Sequence, residues 1–184
     1  MPMYKSEVIT EYFILTGAMG AGKSTILEQL TKFGIATINE PAREIIAEQR
    51  AIDGDGIYDR DPRLFYNLML SRAIFQWKLH KETSDPIIWD RGIADNIVYA
   101  KLFSENPVAA ENASKTFRYN QDVFFLNAWE EIYKNDEERK MSFLDAKSFG
   151  DQVKDTYIAL GYNIIEVPFD DAQARAQYIV DRLK

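Results

Sequence analysis

The chain has 184 residues, of which 46% are hydrophobic and 28% are charged, and it contains no cysteine. This length is enough to bury about 70% of the unfolded surface in one core, and the lack of cysteine excludes disulfides, thiolate catalysis and the usual ligands of structural zinc. The net charge of −7 argues against non-specific nucleic-acid binding, which needs an excess of Lys and Arg. With no apolar signal region and no run of membrane-spanning length, we expect one cytoplasmic domain over residues 1–184, without a membrane partner.

Short apolar strands alternate with helices along the chain. In chain order, we predict a strand over 11–16, a helix over 23–32, a strand over 35–39, helices over 41–52 and 61–83, and a strand over 86–90. There follow helices over 93–103 and 107–118, a strand over 123–126, a charged segment over 129–147, a helix to about 160, a strand over 163–167 and a helix over 171–183. Nearly continuous apolar strands of this kind favour an α/β fold, with a parallel sheet covered by helices on both faces.

The carboxyl ends of the predicted strands are the expected ligand-binding edge. Right-handed crossovers place these ends together, and open parallel sheets bind ligands there. Four polar residues lie at or just past a strand end, namely Ser24, Glu40, Asp90 and Asn127. We therefore expect them to be neighbours in space although they are far apart in sequence.

A glycine-rich loop joins the first strand to the first helix. Residues Gly17–Ser24, which we call the glycine loop, follow the pattern G-x-x-x-x-G-K-S. Its glycines let successive backbone N–H groups point at a polyphosphate, and the helix start adds unpaired N–H groups and a positive dipole end. Lys23 can then reach the β- and γ-phosphates, and the Ser24 hydroxyl can ligate Mg²⁺. The predicted nucleotide-binding residues are Gly17, Ala18, Met19, Gly20, Ala21, Gly22, Lys23, Ser24 and Thr25. A glycine-rich turn without a ligand is the alternative, which the flanking strand and helix disfavour.

Two acidic residues at strand ends are the candidates for metal binding and catalysis. Asp90 ends an apolar strand, and in phosphate-binding proteins with this kind of glycine loop an acid at that position holds the Mg²⁺ shell. Arg91 would contact the phosphates or the acceptor. The alternative is a helix-capping Asp beside a surface Arg. Glu40, before Pro41, is our candidate base for an acceptor hydroxyl, with Asp90 as the competitor. Glu40 could instead be an acid that complements a helix dipole.

The remaining predictions concern the acceptor and a lid. We expect the acceptor to contact Glu40, Arg43, Arg72, Gln76 and Arg91, although Arg43 could pair on the surface. The charged segment over 129–147 is predicted to close over the nucleotide and exclude water, so that phosphate passes to the acceptor. Arg139 is the predicted lid cation, with Lys134 and Lys140 as alternatives. A solvated charged helix face is the other interpretation of this segment.

These motifs together resemble an AAA-type ATPase and kinase family that includes the nicotinamide riboside kinase domain of the bacterial NAD regulator. The matching segments are residues 17–25, 39–44, 89–95, 133–139 and 161–168. The chain is also similar, more distantly, to deoxynucleoside kinases, in which a Glu-Pro after the second strand supplies the base and an acid-Arg pair follows the third. This resemblance implies a P-loop NTPase fold, with its five strands in the order 2-3-1-4-5 and a helical lid. The lid of those kinases is rich in arginine, whereas Arg139 is alone here.

The leading hypothesis is an ATP- and Mg²⁺-dependent small-molecule kinase that phosphorylates a hydroxyl of a nucleoside or a ribosylated metabolite. In it, Lys23, Mg²⁺ and Arg91 neutralise the transferred phosphoryl group while Glu40 orients the acceptor. The alternatives are a nucleotide-binding regulatory module without kinase activity and a nucleoside-monophosphate kinase. The sequence leaves open which nucleobase the donor nucleotide carries and which oligomeric state the protein adopts, with a homodimer among the options.

Overall fold

The structure, a computed structural model, describes residues 6–81, 83–134 and 141–183. Its strands are β1 (Glu7–Val8), β2 (Tyr12–Gly17), β3 (Ala36–Ile38), β4 (Ile87–Asp90), β5 (Phe117–Arg118), β6 (Asp122–Leu126) and β7 (Asn163–Glu166). Its helices are α1 (Lys23–Lys32), α2 (Ala42–Ala51), α3 (Pro62–Leu79), α4 (Asp95–Leu102), α5 (Val108–Thr116), α6 (Phe143–Ala159) and α7 (Ala172–Val180). No helix within these ranges combines the length and the apolar character needed to cross a bilayer.

One parallel sheet forms the centre of the molecule, in the order β3-β4-β2-β6-β7. Counted over the five predicted strands, this is the order 2-3-1-4-5, so the predicted α/β fold and its strand order are confirmed. β2 is central, and all six of its residues are buried. Its register pairs Leu15 with Asp90 on one side and Gly17 with Leu126 on the other. The ends of β2, β4 and β6 therefore meet beside the glycine loop.

The side chains of β2 alternate between two hydrophobic layers, as expected for a strand with helices on both faces. Tyr12 and Ile14 face a layer shared with α3, α4, α5 and α6. Phe13 and Leu15 face a second layer, which is shared with α1 and α7. The helices thus hold the carboxyl edge of the sheet from both sides.

Several boundaries differ from the predicted ones. α3 ends at Leu79 and not near residue 83. α6 begins at Phe143, inside the predicted lid, because the Ser142 hydroxyl accepts a hydrogen bond from the Asp145 amide at 3.1 Å and caps the helix. β1 and β5 form a separate parallel pair that the sequence pattern did not predict, since two-residue strands show no periodicity.

Candidate active site

Strand packing fixes the first glycine of the glycine loop. Gly17 pairs with Leu126 across β2 and β6, and the Ala18 amide donates a hydrogen bond to the Leu126 carbonyl at 3.0 Å. A Cβ atom on Gly17 would lie 2.1 Å from that carbonyl oxygen, and the backbone φ is +141°, so a side chain is excluded here. Gly20 and Gly22 have φ values of +75° and +86°, which bend the loop into the start of α1.

Helix α1 begins without a side-chain cap. Its N-cap is Gly22, and no acidic residue lies in its first turn. α2, α4 and α5 also begin without a side-chain cap, whereas α3, α6 and α7 follow Asp61, Ser142 and Asp171, each of which accepts a hydrogen bond from a first-turn amide. The N–H groups and the positive dipole end of α1 are therefore available to an anion.

Lys23 lies close to the charged groups at the sheet edge. Burial lowers its pKa from 10.5 to about 8, and the Arg91 guanidinium acts in the same direction, whereas Asp90 and Glu40 oppose the shift. A phosphate oxygen next to the ammonium would add negative charge and favour the protonated form. A phosphate bound at the glycine loop would therefore raise the pKa of Lys23.

An open cleft of about 880 Å³ runs along this edge between α1, α2 and α3. The predicted site residues that line it are Ser24, Glu40, Arg43, Arg72, Gln76 and Asp90. The predicted metal ligands and most predicted acceptor contacts are therefore in one place. Asn127 does not line the cleft, and its Nδ2 donates to Glu166 Oε2 at 3.1 Å. Within the described ranges, no group of three or more His, Cys, Asp or Glu side chains is placed to hold a metal ion.

Asp90 ends β4 with a carboxylate oxygen that has no hydrogen-bond partner. α4 begins after Ala94 without a side-chain cap, so the helix-capping interpretation of Asp90 is wrong. Oδ1 of Asp90 is buried and unpaired. Native proteins leave few buried acceptors unpaired, and those that remain often face an ion or a ligand. An unpaired carboxylate oxygen in the same cleft as the exposed Ser24 fits a Mg²⁺ shell, whose ligands are oxygens.

Glu40 is held at the cleft by a tyrosine and an arginine. Tyr99 Oη donates a 2.6 Å hydrogen bond to Glu40 Oε1, and Arg91 Nε lies 3.4 Å from the same oxygen. Burial raises the pKa of Glu40, as does Asp90, whereas Arg91 and Tyr99 pull it down. The raised pKa moves the carboxylate towards the range of a general base at neutral pH. Because α2 begins after Pro41, Glu40 precedes the helix and is not its first-turn acid.

Arg91 lies beneath the glycine loop and not on the surface. Its Nη1 donates to Asp95 Oδ1 at 2.9 Å, to the Gly17 carbonyl at 3.1 Å and to Thr16 Oγ1 at 3.3 Å. The residue is 6% exposed and has a φ of +63°, a left-handed conformation that is strained outside glycine. The surface-arginine interpretation is therefore wrong. The contact of Arg91 with phosphate or acceptor stays a prediction, since three protein acceptors already share its Nη1.

Asp95 is a buried carboxylate that sequence reasoning missed. Thr16 Oγ1 and Tyr157 Oη each donate to it at 2.6 Å, and the Gly92 amide donates at 2.9 Å. With Arg91, these donors link the end of β2, the turn after β4 and helix α6. The available signal was an acid at the fourth position after Arg91 in an apolar stretch. Tyr157 carries no such signal, because it lies 62 positions further along the chain.

The family of the chain follows from a profile that spans most of this site. Residues 12–175 match a family described as an AAA domain, AAA_28. The chain belongs to this family. The match includes the glycine loop, Glu40, Asp90 and Arg91. No curated protein is significantly similar to the chain in sequence.

Several solved structures share the fold of this AAA domain. A deoxyadenosine kinase from M. mycoides is 19% identical, with a TM-score of 0.66 over 94% of this chain and 98% of the kinase. NadR in complex with NR is 16% identical, with a TM-score of 0.64 over 97% of this chain and 50% of NadR. A shikimate kinase from Acinetobacter baumannii, in complex with shikimate, is 15% identical, with a TM-score of 0.56 over 94% of this chain and 92% of the kinase. At these identities the likeness establishes the fold.

A second buried arginine supports the glycine loop of this AAA domain. Like Asp95, it was not predicted from the sequence. Arg175 on α7 is 2% exposed, and its Nη1 donates to the Ala21 carbonyl at 3.1 Å. Its guanidinium lies 5.5 Å from the centre of the Trp129 ring. A Cβ atom on Gly22 would lie 3.2 Å from Arg175 Nη1 and from Ile132 Cδ1. The loop therefore packs against α7 and the start of the predicted lid.

The predicted lid is described in part. A 3₁₀ turn covers Glu130–Ile132, Lys134 is exposed, and α6 starts at Phe143. Arg139 and Lys140 lie outside the described residues. The lid and its cation therefore stay predictions.

Proposed function

We propose that this AAA domain is a phosphotransferase that uses ATP and Mg²⁺ and moves the γ-phosphate to a hydroxyl of a nucleoside or a ribosylated metabolite. The observation that carries the proposal is one cleft that contains Ser24 from the end of the glycine loop, the unpaired Asp90 and the Glu40 carboxylate. Donor phosphate, metal and acceptor would meet there at one sheet edge. The fold likeness to a deoxyadenosine kinase and to NadR bound to NR supports this by analogy.

The glycine loop is proposed to hold the phosphates of the nucleotide. The uncapped start of α1 and the nearby Lys23 ammonium supply the positive charge. Ser24 and Asp90 are the residues that would hold Mg²⁺, which would neutralise negative charge on the phosphates when bound. Arg91 and Arg175 each donate a hydrogen bond to a carbonyl of the loop and so stabilise its backbone conformation.

Glu40 is proposed to orient the acceptor hydroxyl and take its proton. The new O–P bond forms as the bond from the γ-phosphorus to the β,γ-bridging oxygen breaks, and ADP leaves. The hydrogen bond from Tyr99 fixes the carboxylate through Oε1. Asp90 competes for the role of base, but its unpaired oxygen suits the metal shell better.

Arg72 favours a neutral acceptor over a phosphorylated one. Its Nη1 lies 3.1 Å from Glu44 Oε2, and its Nη2 lies 2.8 Å from Glu48 Oε2. Because two carboxylates already face this guanidinium, it offers an acceptor phosphate little net attraction. We therefore prefer a kinase for nucleosides over one for nucleoside monophosphates.

A turnover screen tests the proposed function. The protein is incubated with MgATP and a panel of neutral nucleosides, nicotinamide riboside and the matching monophosphates, and products are identified by mass spectrometry. We expect ADP and a newly phosphorylated nucleoside in equal amounts. Tight nucleotide binding with no acceptor-dependent consumption of ATP would instead favour a regulatory module. Preferred turnover of the monophosphates would overturn the argument from Arg72.

A further inference from the structure

Buried polar atoms without a hydrogen-bond partner are concentrated behind the cleft. In the described part of the chain, four of them belong to residues that line one narrow recess: Trp89 Nε1, Asp90 Oδ1, Arg91 Nε and Asn96 Oδ1. Trp89 is 3% exposed and Asn96 is 4% exposed. Asp90 Oδ1 is the proposed metal ligand and Arg91 Nε lies 3.4 Å from Glu40 Oε1, which leaves Trp89 Nε1 and Asn96 Oδ1 as a donor and an acceptor without a role. Since folded proteins pair nearly all such atoms, this donor and this acceptor indicate a polar occupant of the recess.

The recess is an inner extension of the acceptor side of the cleft. It shares Asn39, Glu40, Gln76 and Asp90 with the cleft, whereas Trp89 and Asn96 are among the residues that line the recess and not the cleft. Its volume of about 20 Å³ is enough for one water-sized group. A substituent of an acceptor therefore fits there, while the body of the acceptor has to stay in the cleft.

Trp89 and Asn96 have complementary hydrogen-bonding roles in the recess. The Trp89 indole N–H can only donate. The Asn96 Nδ2 already donates to the Ile93 carbonyl at 3.2 Å, which leaves Oδ1 as an acceptor. A carbonyl next to an N–H, as in a lactam or a carboxamide, satisfies both atoms. A carboxylate would place negative charge against Asn96 Oδ1 and Asp90.

The aromatic walls of the recess suit the edge of a planar ring whose body stays in the cleft. Tyr99 and Tyr119 line it together with the Trp89 ring and the apolar Met69. The centres of the Trp89 and Tyr119 rings are 5.7 Å apart at an interplanar angle of 73°, so the aromatic wall is tightly packed. Aromatic side chains bind planar rings through their faces and edges.

We propose that Trp89 and Asn96 determine acceptor specificity and select a nucleoside-like molecule whose ring carries an amide-type edge. The edge enters the recess, Trp89 donates to its carbonyl and Asn96 accepts from its N–H, while the ribose hydroxyl faces Glu40. This inference rests on the proposed function and names the acceptor class for the same site.

Binding to the protein loaded with MgADP tests the inference without turnover. Calorimetry compares two matched pairs: inosine with purine riboside, and nicotinamide riboside with nicotinic acid riboside. We expect the member with the amide-type edge to bind about tenfold more tightly, or better, in at least one pair, because two buried hydrogen bonds are made or lost. Equal affinities within both pairs would overturn the inference.

Variants assign the preference to the two side chains. Trp89→Phe removes the N–H and keeps a ring, and Asn96→Leu removes the acceptor at similar size. Each variant is expected to reduce the preference for the ligand with the amide-type edge about tenfold. The affinity for the ligand of the pair that lacks this edge should stay nearly unchanged. Trp77→Phe is the matched control, since Trp77 Nε1 donates to the Arg118 carbonyl and the residue does not line the recess. A preference that survives in both variants contradicts the assignment.

A spectroscopic readout on the unmodified protein covers the case in which a variant does not fold. The chain has 3 Trp residues, so its indole N–H signals are few in an ¹⁵N-correlated spectrum. The Trp89 signal is expected to move downfield with inosine or nicotinamide riboside, and not with purine riboside or nicotinic acid riboside. An unmoved Trp89 signal with both ligands at saturation contradicts the proposal. Absence of any phosphorylated product with MgATP, by contrast, counts against the proposed function alone.

Discussion

Lys23 links the charge state of one side chain to nucleotide affinity. Its pKa is lowered from 10.5 to about 8, so the ammonium is present at pH 7 and largely lost at pH 9. We expect the affinity for MgATP to fall as the pH rises through about 8, and binding near pH 8 to take up a proton. Calorimetry in buffers of different ionisation enthalpy measures both effects. Lys23→Arg should flatten the pH dependence, and the same slope in that variant would contradict the assignment.

The same shift has the opposite sign for the stability of the ligand-free protein. The unfolded chain binds more protons at Lys23 than the folded chain between about pH 8 and 10.5. The free energy of unfolding therefore gains a contribution from Lys23 as the pH rises through this range, because a penalty for burying the charge is removed. Denaturant titration of the protein and of Lys23→Gln over this range measures the difference.

Glu40 is the residue whose replacement should separate chemistry from binding. Glu40→Gln keeps the size of the side chain and removes the base, so turnover should fall by roughly 10²–10⁴-fold while nucleotide affinity stays nearly the same. Glu44→Gln, on the same cleft, is the control and should retain turnover. Assays of product formed over time measure turnover, and nucleotide titrations measure affinity. Normal turnover of Glu40→Gln would transfer the role of base to Asp90.

Asp95 is expected to act on Glu40 through Arg91. The groups that face Glu40 are Arg91, Asp90, Tyr99 and Lys23. In Asp95→Asn the Arg91 charge loses its nearest carboxylate at 2.9 Å and acts more strongly on Glu40, which lowers the pKa of Glu40. The acid limb of the pH–turnover profile should therefore move to lower pH, and unfolding should become easier by about 3 kcal/mol or more. A lower Tm with an unmoved acid limb would limit Asp95 to a structural role.

Helix α6 contacts the glycine loop through a glycine. A Cβ atom on Gly150 would lie 2.9 Å from Ala18 Cβ and 3.0 Å from Ala18 Cα. Gly150→Ala should therefore push the helix and the loop apart, lower the free energy of unfolding by about 1–3 kcal/mol and weaken nucleotide binding. Ser148→Ala, at an exposed position of the same helix, is the control. A fully stable Gly150→Ala with unchanged nucleotide affinity would show that this close approach does not matter.

The elements with a strong local pattern were the ones that the sequence predicted well. The strand, glycine loop and helix over residues 12–32 have a continuous apolar run, a glycine pattern and helical spacing, and α1 was placed at its observed bounds of Lys23–Lys32. The start of α6 was missed because its signal, Ser142 followed by Asp145, comes directly after a run of charged residues that was assigned to a lid over 129–147. Asp95, Tyr157 and Arg175 could not be assigned to the site, since only tertiary packing brings them to the loop.

At the scale of the whole molecule, the strand order explains why an acidic chain can have an anion site. The net charge is −7, yet the order β3-β4-β2-β6-β7 places the glycine loop between the ends of β4 and β6. Lys23 and the buried guanidinium of Arg91 lie at that edge, together with the start of α1. Local donors of this kind outweigh the average field of the protein. The single-domain organisation stays a prediction.

A crystal structure with Mg²⁺, a non-hydrolysable ATP analogue and the preferred nucleoside tests the central claim most directly. We predict phosphate density against the backbone amides of residues 17–25, a metal between Ser24 and Asp90, and the acceptor hydroxyl within hydrogen-bond distance of Glu40. A nucleotide bound elsewhere with the glycine loop empty, or a Glu40 carboxylate turned away from the phosphates, would contradict the account.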